Sequence, residues 1–435
     1  MDLITGMRFL HGWRRYKVAE APGLPNMSSI TASRSIAAPL IMLIVCGCII
    51  AAVTNGIRSS FGLLTLPMTG DLGLTREAWG MAIAIQNLAW GIAQPFAGGL
   101  ADRYGTARVV VGGLLLYAAG MALMVVSPTA GLLDLTAGIL VGVGIATSSF
   151  SIVMAAFGRN VPQEKRSLIF GIATAASSFG QFAFAPIGQA FIESYGWQST
   201  LVYAAALLVL VIPLAYALRG RTELESTTGQ ADLKFMDALG RAWGYGSYRL
   251  LVIGFFVCGF HLAFINVHMP AYLVQCGLTP DAGSWSIAVI GVFNIAGSLL
   301  AGWLGGKLPK QLLLASIYFS RAVAIALFMI FPVTLESALL FSAAMGLLWL
   351  STVPLTAGLV SLFFGARYMG MLYGVAFLSH QIGSFFGVWL GGYVYDATGS
   401  YSLVWYMGII LGLGSAAVHL PIKERGAMTF KLKAA

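Results

Sequence analysis

Twelve apolar stretches, each 20 residues or longer, follow one another along this 435-residue chain with little between them. They lie roughly at 37–67, 76–98, 107–127, 131–157, 167–191, 198–218, 249–274, 283–304, 311–331, 336–363, 369–392 and 402–421. A helix needs about 20 mostly apolar residues to cross the hydrocarbon core of a bilayer. The chain is 58% hydrophobic and 9% charged, with mean hydropathy +0.84. Soluble domains carry about a quarter charged residues, so this chain lacks the polar surface to face water throughout. The expected fold is an all-α integral membrane protein of twelve transmembrane helices.

The charges fall between the apolar stretches. With residue 1 in the cytoplasm, the outside loops hold a single basic residue, Arg76, and two more, Arg58 and Arg321, lie inside spans. The remaining 22 of the 25 Lys and Arg fall on cytoplasmic segments, which places both termini inside by the positive-inside rule. The net charge of +9 is thereby explained by topology rather than by nucleic-acid binding. None of the 16 acidic residues lies deep in a span. The four cysteines sit in or beside apolar runs without disulfide or zinc spacing and read as small packing residues. Residues 1–36 contain no signal peptide pattern. "MRFLHGWRRYKV" is open to two readings, a basic interfacial segment or sequence upstream of a start at Met27.

The second half repeats the first. "LGLT" at 72–75 returns as "CGLT" at 276–279, Gly98 falls on Gly302 and Thr147-Ser148 on Ser351-Thr352, all at a shift of 204. Gly171, Gly180, Gly188, Glu193 and Gly196 fall on Gly374, Gly383, Gly391, Asp396 and Gly399 at a shift of 203. The expected organisation is therefore a tail (1–36), a six-helix bundle (37–218), a cytoplasmic linker (219–248), a second six-helix bundle (249–421) and a tail (422–435). Duplicated parallel bundles are a transporter architecture, with the site near the midplane between them.

"GGLADRYGTAR", Gly98 to Arg108, resembles the loop 2–3 signature of the major facilitator superfamily and follows the second span as it does there. Gly98 permits close helix approach, and Asp102 can bond a neighbouring helix N-terminus, where negative charge is favoured. Gly105 belongs to the turn, and Arg103 and Arg108 can hold the latch. The resemblance implies that this loop stabilises one end state of an alternating-access cycle. The copy at 302–311 has Gly306 where Asp102 stands, so a second latch there is expected to be weak. "KRSLIFGIATAASSFG", Lys165 to Gly180, is similar to the fifth-span motif of the monocarboxylate transporters and oxalate/formate antiporters. Arg166, Gly171, Ala173, Ala175 and Gly180 match it, while Ile169 and Ala176 replace an alanine and a glycine.

Ionisable residues in hydrocarbon are costly and by default mark functional sites. Arg58 lies about where the monocarboxylate transporters carry a basic residue, and its fork matches a carboxylate. It faces substrate or a gate, or else bonds helix carbonyls or snorkels. The resemblance also implies an acid and an arginine four residues apart in the eighth span. The matching positions here are Asn294 and Ser298, neither ionisable, and Asn294 remains a candidate hydrogen-bonding residue of the cavity. His261, His268 and His380 are the mid-membrane groups that titrate between pH 5 and 8, so proton coupling, if present, falls to them. His261 and His380 with its neighbour Gln381 also join the substrate candidates, as do Asn55 and Asn266. Gln86, Gln94 and Gln181 are further polar groups in spans, and Arg321 reads as a bond between helices. No metal-ligand spacing, cofactor motif or catalytic constellation is present, so no enzyme is expected.

The reading is a secondary transporter of the inner membrane, monomeric, for a small organic anion such as a monocarboxylate. Efflux of drugs or metabolites is the alternative. Its partners are the substrate and the lipid bilayer, with no nucleic acid.

Overall fold

The computed structural model describes residues 38–219 and 235–426. The tail 1–36, residues 220–234 of the linker and the end of the 422–435 tail lie outside the described residues, as does the side chain of Arg166. The helices in chain order are α1 (Ala38–Ser59), α2 (Thr65–Leu72), α3 (Arg76–Tyr104), α4 (Thr106–Met124), α5 (Ala130–Leu133), α6 (Val141–Ser148), α7 (Phe150–Asn160) and α8 (Gln163–Leu210). They continue with α9 (Phe235–Gly244), α10 (Gly246–Gln275), α11 (Pro280–Gly305), α12 (Lys310–Ile330), α13 (Leu335–Leu348), α14 (Thr352–Phe364), α15 (Ala366–Thr398) and α16 (Ser402–His419).

Ten segments among the described residues are long and apolar enough to cross a bilayer. One of them, Leu168–Leu218, makes two crossings, because the chain breaks at Gly196 with φ 77°, a left-handed value that favours glycine. Helix α3, whose charged ends lower its average hydropathy, is 29 residues long and also spans the core at 1.5 Å per residue. This gives the twelve crossings of the sequence pattern. Leu210, Ile330, Leu340 and Ile410 are each at least 69% exposed, which suits a surface bathed in lipid rather than water.

Several spans are interrupted where the sequence reads as continuous. The first bends at Ser59 into a 3-10 turn, Phe61–Leu64, before α2. The fourth breaks at Ser149, which has extended backbone (ψ 158°). The tenth breaks between α13 and α14. Helix α9 occupies part of the linker between the bundles, with Ala242 buried in the core and Leu239 packed against it.

Helices α3 and α15 run antiparallel and pack closely over part of their length. At the end where Arg76 lies, a Cβ on Gly392 would collide with the Arg76 carbonyl, and one on Gly80 would stand 3.0 Å from the Val388 carbonyl. Near mid-depth, Trp90 meets Phe377 edge to face at 5.3 Å. Beyond that pair, towards the end where Asp102 lies, Gly98 and Gly99 on α3 and Gly370 and Gly374 on α15 have nothing within 4 Å of a built Cβ. In the pair α8 and α11 a Cβ on Gly291 would sit 2.9 Å from the Ser178 carbonyl, whereas one on Gly171, towards the Asp102 end, would reach only the tip of Leu299 at 3.9 Å. The helices are thus closed on one another at the Arg76 end and diverge at the Asp102 end.

Candidate functional site

Arg58 stands in the last turn of α1, half-buried, at the depth of the α3–α15 contact. Its Nη2 donates to Asn87 Oδ1 at 3.0 Å, and its guanidinium lies 4.5 Å from the centroid of the Trp90 ring. Asn87 is oriented by its own amide, which donates to the Ile83 carbonyl one turn earlier, leaving its oxygen for Arg58. Trp90 is fixed by donating Nε1 to Gln94 Oε1 at 2.8 Å. Gln94 also accepts from Ser149 Oγ at the break in the fourth span. The buried Tyr117 phenol lies within electrostatic range of Arg58 and has no hydrogen-bond partner. Among the described residues no carboxylate lies within ion-pair distance of Arg58.

Across the contact, Phe377 stacks on the half-buried His380 at 5.8 Å with 8° between ring planes, and Phe255 closes the other side at 5.0 Å. His380 Nδ1 bonds Gln381 Oε1 at 3.1 Å. Gln381 is buried under Gly91, which must be glycine because a Cβ would stand 2.7 Å from that of Gln381. The Gln381 amide nitrogen has no partner. Arg58, Asn87, Trp90, Phe377, His380 and Gln381 thus form one chain of contacts from α1 through α3 to α15.

The other candidates lie elsewhere. Asn55 donates to the Ser177 carbonyl and ties α1 to α8. Asn266 is half-buried at the closed end, where its carbonyl abuts Gly62. His261, 1% exposed, bonds the Gly408 carbonyl of α16 at 2.8 Å, and His268 bonds the Val388 carbonyl of α15 at 2.7 Å. Both face the packing of α10 rather than Arg58. Asn294, also 1% exposed, donates to Ser178 Oγ of α8 and accepts from the Ser298 hydroxyl and the Leu350 N–H. It serves the break in the tenth span, where the chain leaves a backbone donor without a helical acceptor. Arg321 serves the same break, donating Nη2 to the Leu348 and Trp349 carbonyls at 2.5 Å each. Gln86 likewise donates to the Ala137 carbonyl, and Gln181 to that of Ile287.

The repeat relates the two halves of this arrangement. At a shift of 204 Tyr117 corresponds to Arg321, Trp90 to Asn294 and Gln94 to Ser298, and in the first span, where Gly56 falls on Gly259 and Pro67 on Pro270 at 203, Arg58 corresponds to His261. Arg58 is in electrostatic range of Tyr117, and His261 of Arg321. One half therefore carries its cation on the first helix of the bundle, the other on the third. Only Arg58 of the two stands partly exposed.

The loop signature also differs from expectation. Asp102 pairs with Arg159 of α7 at 2.7 Å, and Arg159 also bonds Thr106. Arg103 lies over the Tyr104 ring and Arg108 is exposed. Gly98 makes no close approach, because the Asp102 end is parted. Gly105, with φ 90°, makes the turn into α4. Arg159, Asn87, Trp90 and Tyr117 escaped the sequence reading. The first sits outside the signature, and the other three carry no charge and fit ordinary helix packing.

Residues 43–388 match the Major Facilitator Superfamily. The chain belongs to that superfamily. A Bacillus subtilis (strain 168) protein named an uncharacterized MFS-type transporter, YcxA, is 26% identical over 63% of this chain and 68% of its own length. Monocarboxylate transporter 13 of Rattus norvegicus is 26% identical over 67% of this chain and 66% of its own. Monocarboxylate transporter 12 of Homo sapiens is 24% identical over 45% of this chain and 43% of its own. The crystal structure of a D-xylose-proton symporter superposes with TM-score 0.65 at 17% identity, covering 88% of this chain and 96% of that one, a likeness of fold alone. This superfamily member is a multi-pass membrane transporter of a small molecule, with the major facilitator fold and a resemblance to the monocarboxylate branch.

Proposed function

We propose that the transporter moves a small organic anion, monocarboxylate-like, by alternating access, with Arg58 as the cation that receives it. One observation carries this reading. Arg58 is held by a neutral amide oxygen and an indole face, with no carboxylate beside it among the described residues. A cation removed from water without a counter-ion is costly, and an anionic substrate offsets that cost with the remaining guanidinium donors. Resemblance to monocarboxylate transporters supports the same class. His380, half-buried, belongs to the same contact chain as Arg58, whereas His261 and His268 bond helix carbonyls away from it. In this reading residues 37–218 and 249–421 rock against one another. The protein works as a monomer in an inner membrane with both termini cytoplasmic, so the parted Asp102 end faces the cytoplasm.

The test is thermal stabilisation of the purified transporter by a panel of carboxylates, followed by uptake into proteoliposomes. A stabilising acid should lose its effect with Arg58→Gln and keep part of it with Arg58→Lys. Equal stabilisation of wild type and Arg58→Gln by every acid would overturn the assignment.

A further inference from the structure

The contact at the closed end is made by a carboxylate on the start of a helix. Asp396, near the C-terminal end of α15, accepts from the Arg76 N–H at 3.2 Å and the Glu77 N–H at 2.6 Å, the first two donors of α3. Thr75 takes the third, from Ala78. Helix N-termini leave such donors unsatisfied and carry a positive partial charge. Around this cap, the Arg76 guanidinium lies 3.5 Å from the Tyr395 ring centroid and donates to the Tyr401 hydroxyl at 2.8 Å. Trp389 Nε1 donates to Glu77 at 3.2 Å.

The same helix pair carries the complementary arrangement at its other end. Asp102 stands near the C-terminal end of α3, and α15 begins at Ala366 after Gly365, with no side-chain cap. Asp102 is 66% exposed and, among the described residues, its ion-pair partner is Arg159 of its own bundle. Each of these antiparallel helices therefore ends in a carboxylate suited to the other's start, and one of the two is engaged. The repeat supplies a comparison within the chain. Glu193 corresponds to Asp396, and Pro280 to Arg76. Pro280 has no N–H to offer, Asp281 follows it, and Glu193 accepts from Gln189 instead. A cavity of about 220 Å³, lined by Leu66, Glu193, Pro270 and Pro280, opens where that second cap would lie.

We propose that Asp396 is a positioning residue for transport: its cap on α3 holds the Arg76 end shut, opposing the loop 2–3 latch that the family resemblance implies at the Asp102 end. The proposal rests on the alternating-access reading and not on the substrate. When the Arg76 end opens, Asp396 gives up two N–H donors and Arg76 its aromatic partners.

Spin labels at Gly112→Cys and Gly306→Cys, exposed sites on the two bundles near the Asp102 end, report the separation there by double electron–electron resonance. The four native cysteines are replaced first. Wild type should show mostly the longer distance. Asp396→Ala should raise the ratio of short to long by about tenfold or more, since charge-assisted bonds are lost from one state only. Asp396→Glu should restore the wild-type ratio, and Asp102→Asn should deplete the short distance. If Asp396→Ala is not recovered folded, Arg76→Met carries the same expectation. An unchanged ratio in Asp396→Ala, with Asp102→Asn still depleting the short form, overturns the latch alone. A single distance indifferent to every variant overturns alternating access with it.

Discussion

Arg58 differs from the other intramembrane cation in what surrounds it. Arg321 is 0% exposed and bonded to two carbonyls at the end of α13, so its charge answers a helix C-terminus. Arg58 is partly exposed and leans on Asn87 and Trp90. Their substitutions should therefore separate. Arg58→Gln should leave the melting temperature near wild type while lowering carboxylate uptake at least about tenfold, as loss of a charged hydrogen bond implies. Arg321→Met should instead destabilise by about 1–3 kcal/mol for each carbonyl left unbonded, read as a lower melting temperature. Asn294→Leu belongs with Arg321→Met. It strands the Leu350 N–H and Ser178, and should cost about 1–3 kcal/mol by the same reasoning. The sequence marked Arg58 and Arg321 alike, as charges in apolar runs. What separates them is the company of Asn87, Trp90 and two helix carbonyls, all distant in the chain. Arg321, which the sequence reads as a bond between helices, bonds the carbonyls that end α13.

Glycine distribution along a helix carries a conformational argument at the scale of the element. On α8, α10 and α15, Gly180, Gly259 and Gly383 lie directly against the backbone of a neighbouring helix, and a side chain at any of them would collide. Substitution there should lower stability. Gly98 faces open space in this structure, although it heads the loop signature. If its smallness matters, it matters when the Asp102 end closes. Gly98→Leu should accordingly leave the melting temperature unchanged while cutting transport by about tenfold or more, because it penalises one state of the cycle only. A melting temperature lowered as far as that of Gly180→Leu would contradict this. The breaks in the fourth and tenth spans were invisible in hydropathy, since apolar residues continue through them. At the tenth-span break Asn294 and Arg321 take up the freed backbone groups, and at the fourth-span break the Ser149 hydroxyl donates to Gln94 of α3.

For the whole molecule, the charge pattern predicts which end faces the cytoplasm, and exposed sites at each end test it. Cys276 is exposed beside the Arg76 end, at the close of α10, and Gly306 is exposed near the Asp102 end. In intact cells a membrane-impermeant maleimide should label native Cys276. It should reach Gly306→Cys, in a Cys276→Ser background, only after permeabilisation. The reverse pattern would invert the topology.

By itself the sequence determined the twelve crossings, the duplication and the superfamily, because lipid demands long apolar helices and repeated function repeats their punctuation. It also marked Arg58, together with Arg321, since a charge in hydrocarbon is conspicuous at any level of description. Tertiary structure alone decided which polar groups surround that charge, that Asn294, His261 and His268 are spent on helix packing, and that Asp396 caps α3. These are outcomes of helix rotation and depth, set by where glycines let backbones touch. A change of one residue in helix phase, about 100°, would have turned each of those side chains to a different neighbour without altering the hydropathy that the sequence displays.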